Sequence, residues 1–111
     1  MFGSSPDIAG GVVPGTLATN DVSQTTFGCK ATRIAAGQTR IDLGQSIPAT
    51  KRRIWFANLS SSPLNCLFAV NPISDSAFTI LTYTLGVGAG PALTETPANF
   101  AFSFGVSAVP E

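Results

Sequence analysis

The stretch Lys51–Val70, KRRIWFANLSSSPLNCLFAV, constrains the fold more than any other, because it joins the densest charge in the chain to its densest apolar sequence. Side chains of a strand alternate between faces. Ile54 and Phe56 therefore point one way and Trp55, Ala57 and Leu59 the other. With both faces mostly apolar, the segment is expected to lie between two layers, which places Trp55 in a core. Ser60, Ser61, Ser62 and Pro63 interrupt the run before Leu64 resumes it, so the local reading is a hairpin. Lys51, Arg52 and Arg53 stand at its entrance, where three adjacent cations need partners or water.

Alternation recurs beyond this stretch. Phe27–Ala35 is rich enough in Thr, Ile and Phe for a strand, and Thr39–Leu43 sets Ile41 against Arg40 and Asp42. Phe78–Leu85 alternates Thr with larger residues. The clearest pattern is the last: Phe100, Phe102, Phe104 and Val106 on one side, Ala101, Ser103, Gly105 and Ser107 on the other. Gly86, Gly88, Gly90 and Pro91 read as a loop. No segment carries a helical period. Six or seven strands separated by turn signals indicate an all-β fold, an antiparallel β-sandwich, jelly-roll-like or a small barrel, over residues 27–111.

Residues 1–26 differ in texture. Glycines and prolines interrupt short apolar islands at Phe2, Ile8, Val12, Val13 and Leu17. A disordered tail is more charged than this, and a core segment holds longer strands. The reading is an extended N-terminal arm that lies along a neighbour, with Phe2, Ile8, Val12 and Val13 as its contacts.

Only 11% of the 111 residues are charged, against roughly 25% in an ordinary soluble domain. Two accounts fit: surface covered by partners, or a β-protein kept soluble by Ser and Thr. Net charge is zero, which argues against a nucleic-acid partner. The six cations, Lys30, Arg33, Arg40, Lys51, Arg52 and Arg53, share residues 30–53 with one acid, Asp42, making that segment +5. Asp7, Asp21, Asp75, Glu95 and Glu111 make the remainder −5. Lys51, Arg52 and Arg53 are accordingly candidates for contact with an acidic surface. No secretory leader is evident, and no apolar run approaches the roughly 20 residues of a membrane span, so the expectation is a chain folded in a cytoplasm without a membrane partner.

Catalytic chemistry is sparse. Without histidine the chain lacks the usual general base and the commonest metal ligand. Cys29 and Cys66 make no zinc site and are read as free thiols. The glycines of GVGAG precede neither Lys-Ser/Thr nor a helix, so they do not form a phosphate loop. No cofactor, metal or catalytic residue is expected. An enzyme would rest on a carboxylate among Asp42, Asp75 and Glu95.

The order ATRIAAGQTRIDLG, a proline loop, then KRRIWFANLSSSPLNCLFAV resembles small β-structured virion proteins of tailed phages. Over Ala31–Val70 it repeats their layout: a strand, a short loop, a basic start to an apolar strand ending in Asn, a Ser-rich turn and a second apolar strand. The resemblance implies a structural virion protein. It would be a capsid decoration or cement protein contacting the major capsid protein on the capsid surface, assembled in the host cytoplasm and self-associating, with a trimer at three-fold positions. It leaves open a head-spike, tail or receptor-binding module, for which exposed Trp55 and Tyr83 would stack on a carbohydrate.

Overall fold

The computed structural model describes residues 7–24, 29–59, 63, 65–87 and 93–108. They form nine strands: β1 (Asp7–Val13), β2 (Val22–Gln24), β3 (Lys30–Ala35), β4 (Gln38–Asp42), β5 (Arg52–Asn58), β6 (Cys66–Ser74), β7 (Ala77–Val87), β8 (Leu93–Pro97) and β9 (Phe102–Ala108). Every pairing is antiparallel. One sheet has the order β1-β9-β5; the other runs β2-β3-β4-β7-β6, with β8 pairing the far half of β7. The two sheets make an antiparallel all-β sandwich. A 3-10 turn, Ala49–Lys51, is the one helical piece among the described residues.

The core lies between the sheets. Phe102, Phe104 and Val106 of β9 are 0–1% exposed, as the ladder of apolar residues at every second position requires. They face Ala31, Ile41, Phe78 and Ile80 of the large sheet, all fully buried. Ile41 is inside while Arg40 and Asp42 are half-buried and joined by a salt bridge of 3.1 Å. Aromatic edges fill the middle: Phe68 meets Phe102 at 5.4 Å and Phe100 at 5.6 Å between centroids, both T-shaped.

The hairpin expected across Lys51–Val70 does not form. β5 and β6 belong to different sheets, so their connection crosses from one layer to the other. Across the sandwich, Phe56 and Phe68 stack face to face at 4.7 Å, which ties β5 to β6 through side chains and not through backbone pairing.

Part of the stretch read as an arm belongs to this framework. Residues 7–13 are extended, and they lie along β9 of the same chain, with Val13 opposite Phe102 and Val12 opposite Ser103. The following loop is held by Arg33. This side chain is fully buried, donating from Nη1 to Thr39 Oγ1 (2.7 Å), from Nη2 to the Pro14 carbonyl (3.1 Å) and from Nε to the Leu17 carbonyl (3.2 Å). The guanidinium fork reaches three oxygens on two segments, which offsets its removal from water. That burial pushes its pKa down. Its neighbour Ile34 is exposed instead, beside a register shift between Arg33 and Ala35. Arg33 therefore leaves the surface basic segment to which the sequence assigned it.

Candidate interaction surface

The outer face of the three-stranded sheet collects the most distinctive exposed residues. Its centre is β9, whose small side, Ser103, Gly105 and Ser107, faces away from the core; Ser103 is half-buried, while Gly105 and Ser107 are covered. Registers on either side build three cross-strand rows: Val12–Ser103–Ala57, Gly10–Gly105–Trp55, and Asp7–Ser107–Arg53. The middle row has one side chain, Trp55. Its indole lies across Gly105: a Cβ there would fall 2.5 Å from Cζ2 and closer still to Cε2 and Nε1. Gly10 is equally committed, since a Cβ on it would meet the Phe104 carbonyl oxygen at 2.6 Å. Its φ of +157° also disfavours a side chain.

Trp55 is thus 44% exposed, a correction to its expected place in the core. The expectation failed because the described residues form two sheets, so the outer face of β5 has no third layer over it. An apolar residue on such a face is normal singly. A large indole seated on glycine, with Val12 (50% exposed) and Arg53 on the same face, forms a patch.

The structure separates the other sequence candidates. Val13 is fully buried in the core, so it makes no partner contact; adjacent positions of β1 face opposite ways. Ile8 is half-buried and packs against the core. Phe2 lies outside the described residues. Lys51 and Arg53 are exposed. Arg52 turns inward, 5.3 Å above the Phe78 ring, where burial pushes its pKa down and the Asp75 carboxylate pulls it up. One of its nitrogens, Nη1, is enclosed without a hydrogen-bond partner. The basic segment is therefore quieter than its sequence: Arg33 is buried, Arg40 is paired, Arg52 is half-buried, and Lys30, Lys51 and Arg53 stand in solvent.

Trp55 and Tyr83 do not share a surface, since Tyr83 belongs to β7 of the other sheet, opposite Leu67 and Pro97. The three acids considered for catalysis are dispersed: Asp42 binds Arg40, Asp75 occupies the β6–β7 turn, and Glu95 is exposed on β8. Among the described residues, no group of three or more Cys, Asp or Glu side chains is placed to hold a metal ion. Among the described residues, no helix is long and apolar enough to cross a membrane. Cys29 and Cys66 are not joined in a disulfide: Cys29 lies in the core with its Sγ 3.8 Å from the Gly10 carbonyl oxygen, and Cys66 has its Sγ 3.1 Å from Asn58 Oδ1.

Fold and surface together define an antiparallel β-sandwich with one flat, partly apolar, cation-edged face. No family model, curated protein or solved structure matches the chain.

Proposed function

We propose that the chain is a non-catalytic structural protein of a virion, a decoration protein that docks on a tailed-phage capsid in many copies. The observation that carries this reading is the outer face of the β1-β9-β5 sheet, where Trp55, Val12 and Arg53 are presented together on a floor of small residues. Trp and Arg are the residue types that most often dominate binding energy at protein interfaces. A rigid sheet fixes their spacing, and Lys51 at the end of β5 adds a cation for an acidic partner surface. A lattice repeats one contact many times, so a patch of this modest size suffices.

The test is co-sedimentation of the purified chain with empty heads of a tailed phage that carries it, at low and high salt. Binding that weakens with salt and is lost in Trp55→Ala supports the reading. A chain that stays in the supernatant under both conditions refutes it.

A second reading rests on Trp55 itself. A half-exposed indole seated on a flat sheet is a stacking surface for a pyranose ring, which would fit a receptor-binding module of a spike or tail. Binding to a glycan array that disappears in Trp55→Ala would favour this reading over attachment to a capsid.

A further inference from the structure

β1 and the loop behind it behave as one unit. The strand pairs with β9 alone, and its Ala9 and Val13 are seated in the core. The loop is clasped by Arg33 through the carbonyls of Pro14 and Leu17. Residues 7–17 are thus bound to β9 and to Arg33, and the chain leaves them through a single turn. That turn is Ala18–Asp21, closed by the Asp21 N–H on the Ala18 carbonyl at 3.0 Å, and it leads into β2 of the other sheet. All four of its residues are exposed. At its third position Asn20 has φ +73°, and among the described residues no other residue except glycine has a positive φ. Such a dihedral is unfavourable for an L-residue, less so for Asn than for most, and free of penalty for Gly.

We infer that residues 7–17 exchange between two copies of this chain, with Ala18–Asp21 as the hinge. Straightening the turn carries the unit onto the β9 and Arg33 of the second copy, which returns its own unit in a reciprocal two-fold arrangement. The fit is inherited: the edge of β9, the core seats of Ala9 and Val13 and the Arg33 clasp are those that hold the unit within one chain. A short turn held in an unfavourable dihedral invites exchange, because extending it releases the dihedral. Opposing this are the hydrogen bond that closes the turn and the freedom lost when two copies join, so the single chain dominates in dilute solution and the exchanged pair grows with concentration. Exchange also changes who builds the candidate face. Its row Val12–Ser103–Ala57 would take Val12 from one copy and Ser103 and Ala57 from the other.

This inference concerns the isolated chain and goes beyond attachment to a capsid, so either can fail without the other. Two single variants test it, Val12→Cys and Ser103→Cys, at positions that pair across β1 and β9. They are unfolded in urea, mixed, refolded at millimolar concentration and oxidised. A disulfide linking one variant to the other is expected, absent when either is mixed with the parent chain. If no such link forms under oxidation that closes the Val12→Cys/Ser103→Cys double variant within one chain, the inference is overturned. Sedimentation velocity of hinge variants gives a second measurement. Asn20→Gly takes φ +73° without strain and should weaken the dimer about tenfold. Asn20→Pro cannot take that φ and loses the N–H that bonds the Arg33 carbonyl, so it should tighten the dimer about tenfold or more. A parent chain that is monomeric at every concentration, or hinge variants that shift the dimer in the same direction, overturns the exchange as well.

Discussion

Replacing Gly105 by alanine is expected to dislodge Trp55. The new Cβ would sit within 2.5 Å of the indole, while carbon atoms rest about 3.5–4.0 Å apart, so the ring must move by at least about 1 Å or swing off the sheet. Gly105 is not among the residues with positive φ, so the effect is steric and not a matter of backbone strain. Trp55 is 44% exposed, which leaves somewhat more than half its surface covered. An aromatic side chain that buries about 100 Å² gains about 2.5 kcal/mol at ~25 cal/mol per Å². That is an upper bound, because the unfolded chain already hides part of this surface and a displaced ring keeps some contacts. The expected loss is therefore about 1–2 kcal/mol, a fall in Tm of about 4–8 °C for a domain of this size. Trp55 is the only tryptophan, so its emission reports the site alone, and Gly105→Ala should shift the maximum to longer wavelength. The decisive measurement is a double-mutant cycle by urea unfolding. In a Trp55→Ala background, Gly105→Ala should cost under about 0.5 kcal/mol. Equal cost in both backgrounds, with unchanged emission in the single variant, would refute the placement of the indole on Gly105.

Other substitutions probe the framework and the face separately. Gly37→Ala should lose about 2–3 kcal/mol in denaturant unfolding, because φ is +68° and a Cβ would lie 2.5 Å from the Thr82 carbonyl oxygen and 2.9 Å from the Ala98 nitrogen. Arg33→Ala should cost about 3–5 kcal/mol, since it opens a fully buried site and strands the hydroxyl and carbonyl groups that Arg33 joins; hydrogen exchange should quicken first around residues 14–21. Arg53→Glu should leave the melting temperature within about 2–3 °C of the parent, as an exposed change of under about 0.5 kcal/mol, while reducing salt-sensitive attachment to capsids in the pelleting assay. Val12→Ser should behave alike for stability, whereas Val13→Ser, one position along, should cost about 2–4 kcal/mol by putting a hydroxyl into the core.

Sequence patterns carried those features that one strand determines by itself. The β9 ladder and the Ile41 alternation were readable because large apolar residues sit at every second position with small or polar ones between. What failed depended on distant partners. Apolar residues on both faces of Arg52–Asn58 meant burial only if both faces had a neighbouring layer, and the described residues form two sheets, which cover only the inner face of β5. The Ser-Pro turn signalled a reversal, yet a reversal between sheets and one within a sheet use the same residues. Val12 and Val13 are chemically identical, and only the register with β9 decides which faces out. Hydropathy also inverts Arg33 and Ile34, because the carbonyls of Pro14 and Leu17 that solvate the guanidinium lie far back in the chain. The candidate face was half legible: Arg53 and Val12 were singled out, and Trp55, its centre, was assigned inward. Glycine at 105, opposite Trp55 in the pairing, is the signal that could have corrected this, but the pairing itself was not visible.

The small sheet draws its strands from residues 7–13, 52–58 and 102–108, and the last of them lies between the other two. β1 and β5 have no hydrogen-bonded partner in that sheet until β9 arrives. During synthesis the large sheet can pair progressively as its strands emerge, while the β1-β9-β5 face waits for residues 102–108 to leave the ribosome. Closing loops of this length is slow, and the two waiting strands expose apolar edges in the meantime. A ribosome stalled before residue 102 would therefore hold a chain with a partly formed large sheet and no β1-β9-β5 sheet. If the face serves the attachment proposed above, a nascent chain would acquire it only once residues 102–108 have emerged and paired with both β1 and β5.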